Sequence, residues 1–143
     1  MAKPTYQDAK LMLQFAQWGA ASDLNGALNW LWSDQFIPDY AEFQKKYPRG
    51  SEGSLLAGKI CSFYETLGTL YKHGLFNEDL LFDWQAVSMV WDRVKSFALG
   101  VRQEVGEPRL WENFEAMANT QVAYDAKGAK RAKRARRAKG SKK

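Results

Sequence analysis

The chain holds one cysteine, Cys61, and one histidine, His73. A thiol and an imidazole could pair as nucleophile and base, and either could ligate zinc. Number and spacing argue against both. Twelve positions along one helix set the two side chains about 18 Å apart, far beyond proton-transfer reach. One histidine and one thiol cannot complete a zinc site within a single chain. A di-iron bundle needs a Glu-x-x-His from each of two helices. Cys61 is therefore expected as a small buried apolar residue and His73 as a helix-end residue. Carboxylates spaced three or four apart, Asp79 with Asp83 and Glu112 with Glu115, could do acid–base work, but solvated helix faces carry such pairs routinely. No catalytic constellation, metal site or cofactor site emerges.

Two further stretches resemble working motifs. "GSLLAGKI", Gly53 to Ile60, comes within one residue of a phosphate-binding loop. Gly53, Gly58 and Lys59 fit, but the hydroxyl that would hold magnesium is replaced by Ile60. The preceding "FQKKYPRGSE" is a polar loop where a buried strand is required, so the stretch is expected to be a helix start. "GTLYKHGLFNEDLLFDWQAVSMVW" has the outline of a helix-turn-helix. Its second helix carries Glu78, Asp79 and Asp83 where recognition contacts would lie, and carboxylates there repel phosphates. An ordinary helical hairpin is expected.

The elements behind these residues are helical. Apolar residues recur at helical spacing nearly everywhere, and no stretch alternates as a strand would. The first helix is expected from about Tyr6 to Trp18, with Leu11, Phe15 and Trp18 on one face. Ser22 reads as the N-cap of a second helix, and Pro38 as the opening of a short third. The central helix runs from about Ser54 to His73 on a stripe of Leu56, Ile60, Phe63, Leu67 and Leu70, with Gly74 as a left-handed stop. Asn77 caps the next helix, which continues through Trp84, Val87, Trp91, Val94 and Phe97 with a break near Trp84. A last helix begins after Gly106 with Pro108 in its first turn. The reading is all-α, a single bundle of six or seven helices spanning residues 1–125.

Residues 126–143 differ in kind. The net charge of +5 conceals an acidic body and a basic tail. Residues 1–126 carry 11 bases against 16 acids, a net of −5; the tail carries ten bases and no acid. These are Lys127, Lys130, Arg131, Lys133, Arg134, Arg136, Arg137, Lys139, Lys142 and Lys143. Alanine recurs every third residue, out of step with the helical turn, so no apolar stripe can dock the tail on the body. It is expected to be disordered when free, and to bind nucleic acid or another polyanion without sequence preference. No apolar run is long enough to span a bilayer, and the start lacks the apolar stretch of a secretory signal. With one cysteine, a cytoplasmic protein is expected.

From Phe63 to Ala118 the chain resembles a bacterial family catalogued as domain of unknown function 4760. The shared pattern is a Tyr-Glu helix, a Gly-Leu turn, a Trp, an Arg and a Phe-Glu helix. Here these are Tyr64, Glu65, Gly68, Gly74, Leu75, Trp91, Arg102, Phe114 and Glu115. The resemblance extends over about residues 11–120 and implies a helical domain with no assigned activity. Family members often begin with a membrane span; none is evident here, so membrane association does not carry over. Glu65, Arg102 and Glu115 fall on three helices that otherwise bury apolar faces, and Arg102 is expected to bridge one or both carboxylates.

The functional expectation is a non-enzymatic helical interaction domain with a polyanion-binding tail. The alternative is a protein–protein or small-ligand module whose tail is only solubilising.

Overall fold

A computed structural model describes residues 2–141. Its helices begin where a side chain can satisfy the unpaired amides of a first turn. Thr5 and Asp8 form a reciprocal capping box for α1 (Tyr6–Ala21). Asp23, Asp39, Ser51 and Asn77 cap α2 (Leu24–Leu31), α3 (Tyr40–Lys46), α4 (Glu52–Lys72) and α5 (Glu78–Trp84). Two helices begin without a side-chain cap of their own: α6 (Val87–Val105) and α7 (Glu112–Gly140). Among the described residues there are seven α-helices and no strand.

Several local expectations shift by a few residues. Ser22 ends α1 instead of opening α2; its hydroxyl donates back to the Trp18 carbonyl, and Asp23 takes the capping position. Pro38 lies one residue before the Asp39 cap of α3. The last helix starts at Glu112, so Pro108 lies in the preceding turn. Gly74 stops α4 at a φ of 71°, and the break near Trp84 separates α5 from α6. Gly53 to Ile60 lies wholly inside α4. A Cβ on Gly53 would meet the Tyr47 ring at 2.3 Å, and Lys59 Nζ donates to the Ser22 carbonyl at 2.7 Å. Packing accounts for the glycine and helix capping for the lysine.

Helix α4 is the axis of the bundle and packs against α2, α6 and α7. Its Ala57, Ile60, Cys61, Tyr64 and Leu67 are buried, together with Val87 and Val94 of α6 and Phe114 and Met117 of α7. Burying each large apolar side chain contributes about 1.5–3 kcal/mol. At Gly68 the backbones of α4 and α7 approach closely: a Cβ there would lie 2.6 Å from the Asn113 carbonyl oxygen. Only glycine lets the two backbones meet.

The main departure from expectation is the tail. Helix α7 runs unbroken through residues 125 and 126 to Gly140, 29 residues and about 43 Å long. Every described residue after Tyr124 is exposed, so no face docks on the body, as the three-residue alanine period requires. The expected disorder does not follow from that, because the tail needs no nucleus of its own. The docked turns from Phe114 to Gln121 supply it, and Ala, Lys and Arg then propagate the helix well. Acids in the first turn and bases in the last also suit the helix dipole. Lys142 and Lys143 lie outside the described residues.

Candidate functional site

The two groups of candidate residues lie at opposite ends of α7: Glu65 of α4 and Arg102 of α6 meet Glu115 near its start, and the basic residues occupy its far end. At its N-terminus Trp111 adopts left-handed backbone, with a φ of 58°. A bulky residue avoids that region unless its surroundings hold it there. Its ring stacks on Phe97 at 5.8 Å, and the backbone on both sides is tied down. On one side, Arg102 Nε donates to the Leu110 carbonyl at 2.5 Å. On the other, the Phe114 amide donates to Glu65 Oε2 at 2.8 Å, while Asn113 Nδ2 donates to Glu65 Oε1 at 2.8 Å. Glu65, projecting from α4, supplies the cap that α7 lacks, and its charge faces the positive end of the helix dipole.

Arg102 and Glu115 meet directly, Nη1 to Oε2 at 3.0 Å. Glu65 and Arg102 form no ion pair; the two carboxylates serve different ends of the same corner. Arg102 also lies over the Trp91 ring, 5.7 Å from its centroid, with Nη2 buried and unpartnered. Tyr64 stacks on Phe114 at 5.0 Å, and Trp91 meets Phe114 edge to face at 5.0 Å. Tyr64, Glu65, Gly68, Trp91, Arg102, Phe114 and Glu115, scattered over more than fifty positions, thus converge on one corner. Both oxygens of Glu65 accept hydrogen bonds and Arg102 pairs with Glu115, so these side chains tie α4 and α6 to the start of α7.

Cys61 is fully buried, and burial pushes its thiol up, only partly opposed by the Arg102 charge. A thiol held protonated is a poor nucleophile. Among the described residues no three of His, Cys, Asp and Glu gather as a metal ion would need. No described helix is long and apolar enough to cross a membrane.

The other end of α7 is cationic. Lys127, Lys130, Arg131, Lys133, Arg134, Arg136, Arg137 and Lys139 are all exposed, and among the described residues none joins an ion pair. At its root, Tyr124 donates to Asp79 Oδ1 at 2.5 Å, and that carboxylate pushes the phenol up to about 12. A cavity of about 390 Å³ at this root is lined by Glu78, Tyr124, Lys127 and Arg131.

A family model, Domain of unknown function (DUF4760), matches residues 4–121. The chain belongs to the DUF4760 family. No curated protein and no solved structure matches it. The DUF4760 match ends at Gln121, the last buried residue of α7, so the Glu65–Arg102–Glu115 corner lies inside the family domain and the cationic segment beyond it.

Sequence reasoning missed Asn113, the strained Trp111 and the capping role of Glu65. A backbone amide as the partner of a carboxylate fifty residues away leaves no mark in residue types. The clue that was available is the lack of Ser, Thr, Asp or Asn immediately before Glu112, which signals an N-terminus needing a cap from elsewhere.

Proposed function

We propose that this chain is a non-catalytic nucleic-acid-binding protein in which an acidic helical bundle holds out a cationic helix. The observation that carries the reading is the form of α7: anchored on the bundle up to Tyr124, then exposed at every described residue, with eight described cations and no described ion pair. Those charges span residues 127 to 139, about 18 Å at helical rise. That is one charge per roughly 2 Å, close to the spacing of about 1.7 Å per phosphate charge along a duplex. The −5 body repels the same ligand, so contact is confined to the helix. Affinity comes from counterion release, which is sequence-independent and salt-sensitive.

The test is deletion of residues 126–143, with retention on immobilised DNA and RNA measured across a salt series. The full chain is retained at low salt, with a log–log slope of about −4 to −5 if five phosphates are engaged. The shortened chain passes through. Equal retention of both chains removes the proposal.

A groove of about 360 Å³ between α4 and α7, lined by Gly68, Tyr71, Lys72, Asn113 and Met117, favours a second reading as a small-ligand module. A small molecule that raises the melting temperature of the tail-less chain, with the rise lost in Ala116→Trp, would support that reading.

A further inference from the structure

We infer that the ligand of the cationic helix is double-stranded DNA, docked along one side of α7; this rests on the nucleic-acid reading above. The charges wind unevenly around the helix. At about 100° per residue, Lys127, Lys130, Arg131, Lys133, Arg134 and Arg137 fall within an arc of about 160°. The opposite arc continues the stripe that Phe114, Met117, Ala118 and Gln121 turn toward the bundle. Beyond the body it carries Gly128, Ala129, Ala132 and Ala135, with only Arg136 and Lys139 among them. The overhang is therefore a cationic cylinder with a dense side and a sparse side.

Rigidity decides between ligands. A flexible basic tail wraps any polyanion, whereas a helix presents its charges in a fixed line. A helix is about 10–12 Å across with side chains, and the B-form major groove is about 12 Å wide. The A-form RNA major groove is deep and narrow and does not admit it. Single strands are held by stacking their bases on aromatic rings, and residues 125–141 contain no aromatic residue. The dense side can face the phosphates of a DNA duplex while the alanine side needs no partner. Neither arc carries Asn or Gln, the side chains that read adenine bidentately, so the basic residues are left to the phosphates and to guanine edges.

The test uses the full chain with a B-form DNA duplex, an RNA duplex, single-stranded DNA and heparin, by fluorescence anisotropy over a salt series. The DNA duplex binds tightest, with a slope of about −5. Two variants each remove two charges. K130Q/R134Q, on the dense side, makes the duplex slope shallower by about 2; R136Q/K139Q, on the sparse side, by less than about 1. A132P keeps every charge but breaks the helix, and it binds the duplex no better than the single strand. Equal binding of duplex and single strand, tighter binding of RNA duplex, equal loss from the two charge pairs, or full duplex affinity in A132P each overturns the inference while leaving the nucleic-acid reading intact. No binding to any of the four ligands overturns both.

Discussion

Replacing Arg102 by Met removes the polar head that fastens the corner between α6 and α7 while keeping most of the aliphatic stem. Two bonds go: Nε to the Leu110 carbonyl at 2.5 Å and Nη1 to Glu115 at 3.0 Å. Hydrogen bonds involving a charged group contribute about 1.5–3 kcal/mol each. The Arg102 side chain is 12% exposed and the Glu115 side chain 35%, so Glu115 regains water when its partner is lost. The loss should therefore fall below the roughly 3–5 kcal/mol typical of breaking a fully buried pair. Relief of the unpartnered Nη2 offsets part of it as well, leaving a net loss of about 2–3 kcal/mol. For a domain of this size that lowers the melting temperature by about 10 °C. Tryptophan fluorescence is the suitable readout, because all six tryptophans lie in the bundle and none in the overhang. Arg102→Lys recovers only part of the loss, since an ammonium cannot reach both acceptors with a planar fork. A melting temperature within about 2 °C of the parent for Arg102→Met would show that the corner is held by its apolar contacts alone.

Other perturbations separate the remaining claims. Gly68→Ala drives a methyl group against the Asn113 backbone, which cannot swing away; overpacking of this kind costs about 1–3 kcal/mol, measurable by urea denaturation. Alkali should unfold the bundle. Burial and a Glu104 hydrogen bond push Tyr40 up to about 12, and burial pushes Tyr64 up as well, from an ordinary value of 10.0. A phenol raised on folding contributes stability that is whole below the unfolded value and fades as pH climbs through the folded one. Stability therefore falls above pH 10.0, with tyrosinate absorbance appearing together with unfolding; phenols that ionise normally in the intact fold would contradict this. Salt should strengthen the overhang: Lys127 with Arg131, Lys130 with Arg134 and Lys133 with Arg137 are like charges four apart, each pair destabilising by a few tenths of a kcal/mol until screened. The circular-dichroism difference between the full and tail-less chains thus grows more helical as salt is added, and a decrease would refute it.

Local chemistry was legible in the sequence and long-range chemistry was not. Asn77 and Gly74 act within one turn of themselves, so residue type alone placed a cap and a stop. Ser22 misled because the aspartate beside it competes for the same role, and only the left-handed backbone at Asp23 decides which side chain reaches the Gly26 amide. The central stripe through Ile60 and Leu67 was readable from periodicity. That α4 would also press its backbone onto α7 at Gly68 was not, since a missing Cβ has many explanations. Arg102 with Glu115 could be guessed from opposite charge on neighbouring helices. Glu65 could not be placed, because its partners are an amide side chain and a backbone N–H. The tail shows the limit of arguing from one energy term. Its composition forbids docking, and the structure keeps it undocked, yet helix order passed to it along the chain from a neighbour already folded.

The most direct trial of the account is a backbone chemical-shift map of the full chain, recorded free and with a DNA duplex added. Helical shifts are expected through residues 126–140 before any ligand is present, and perturbation on addition confined to that segment, strongest on the side of Lys130, Arg134 and Arg137. Random-coil shifts there in the free protein, or perturbations centred on the acidic bundle, would contradict it.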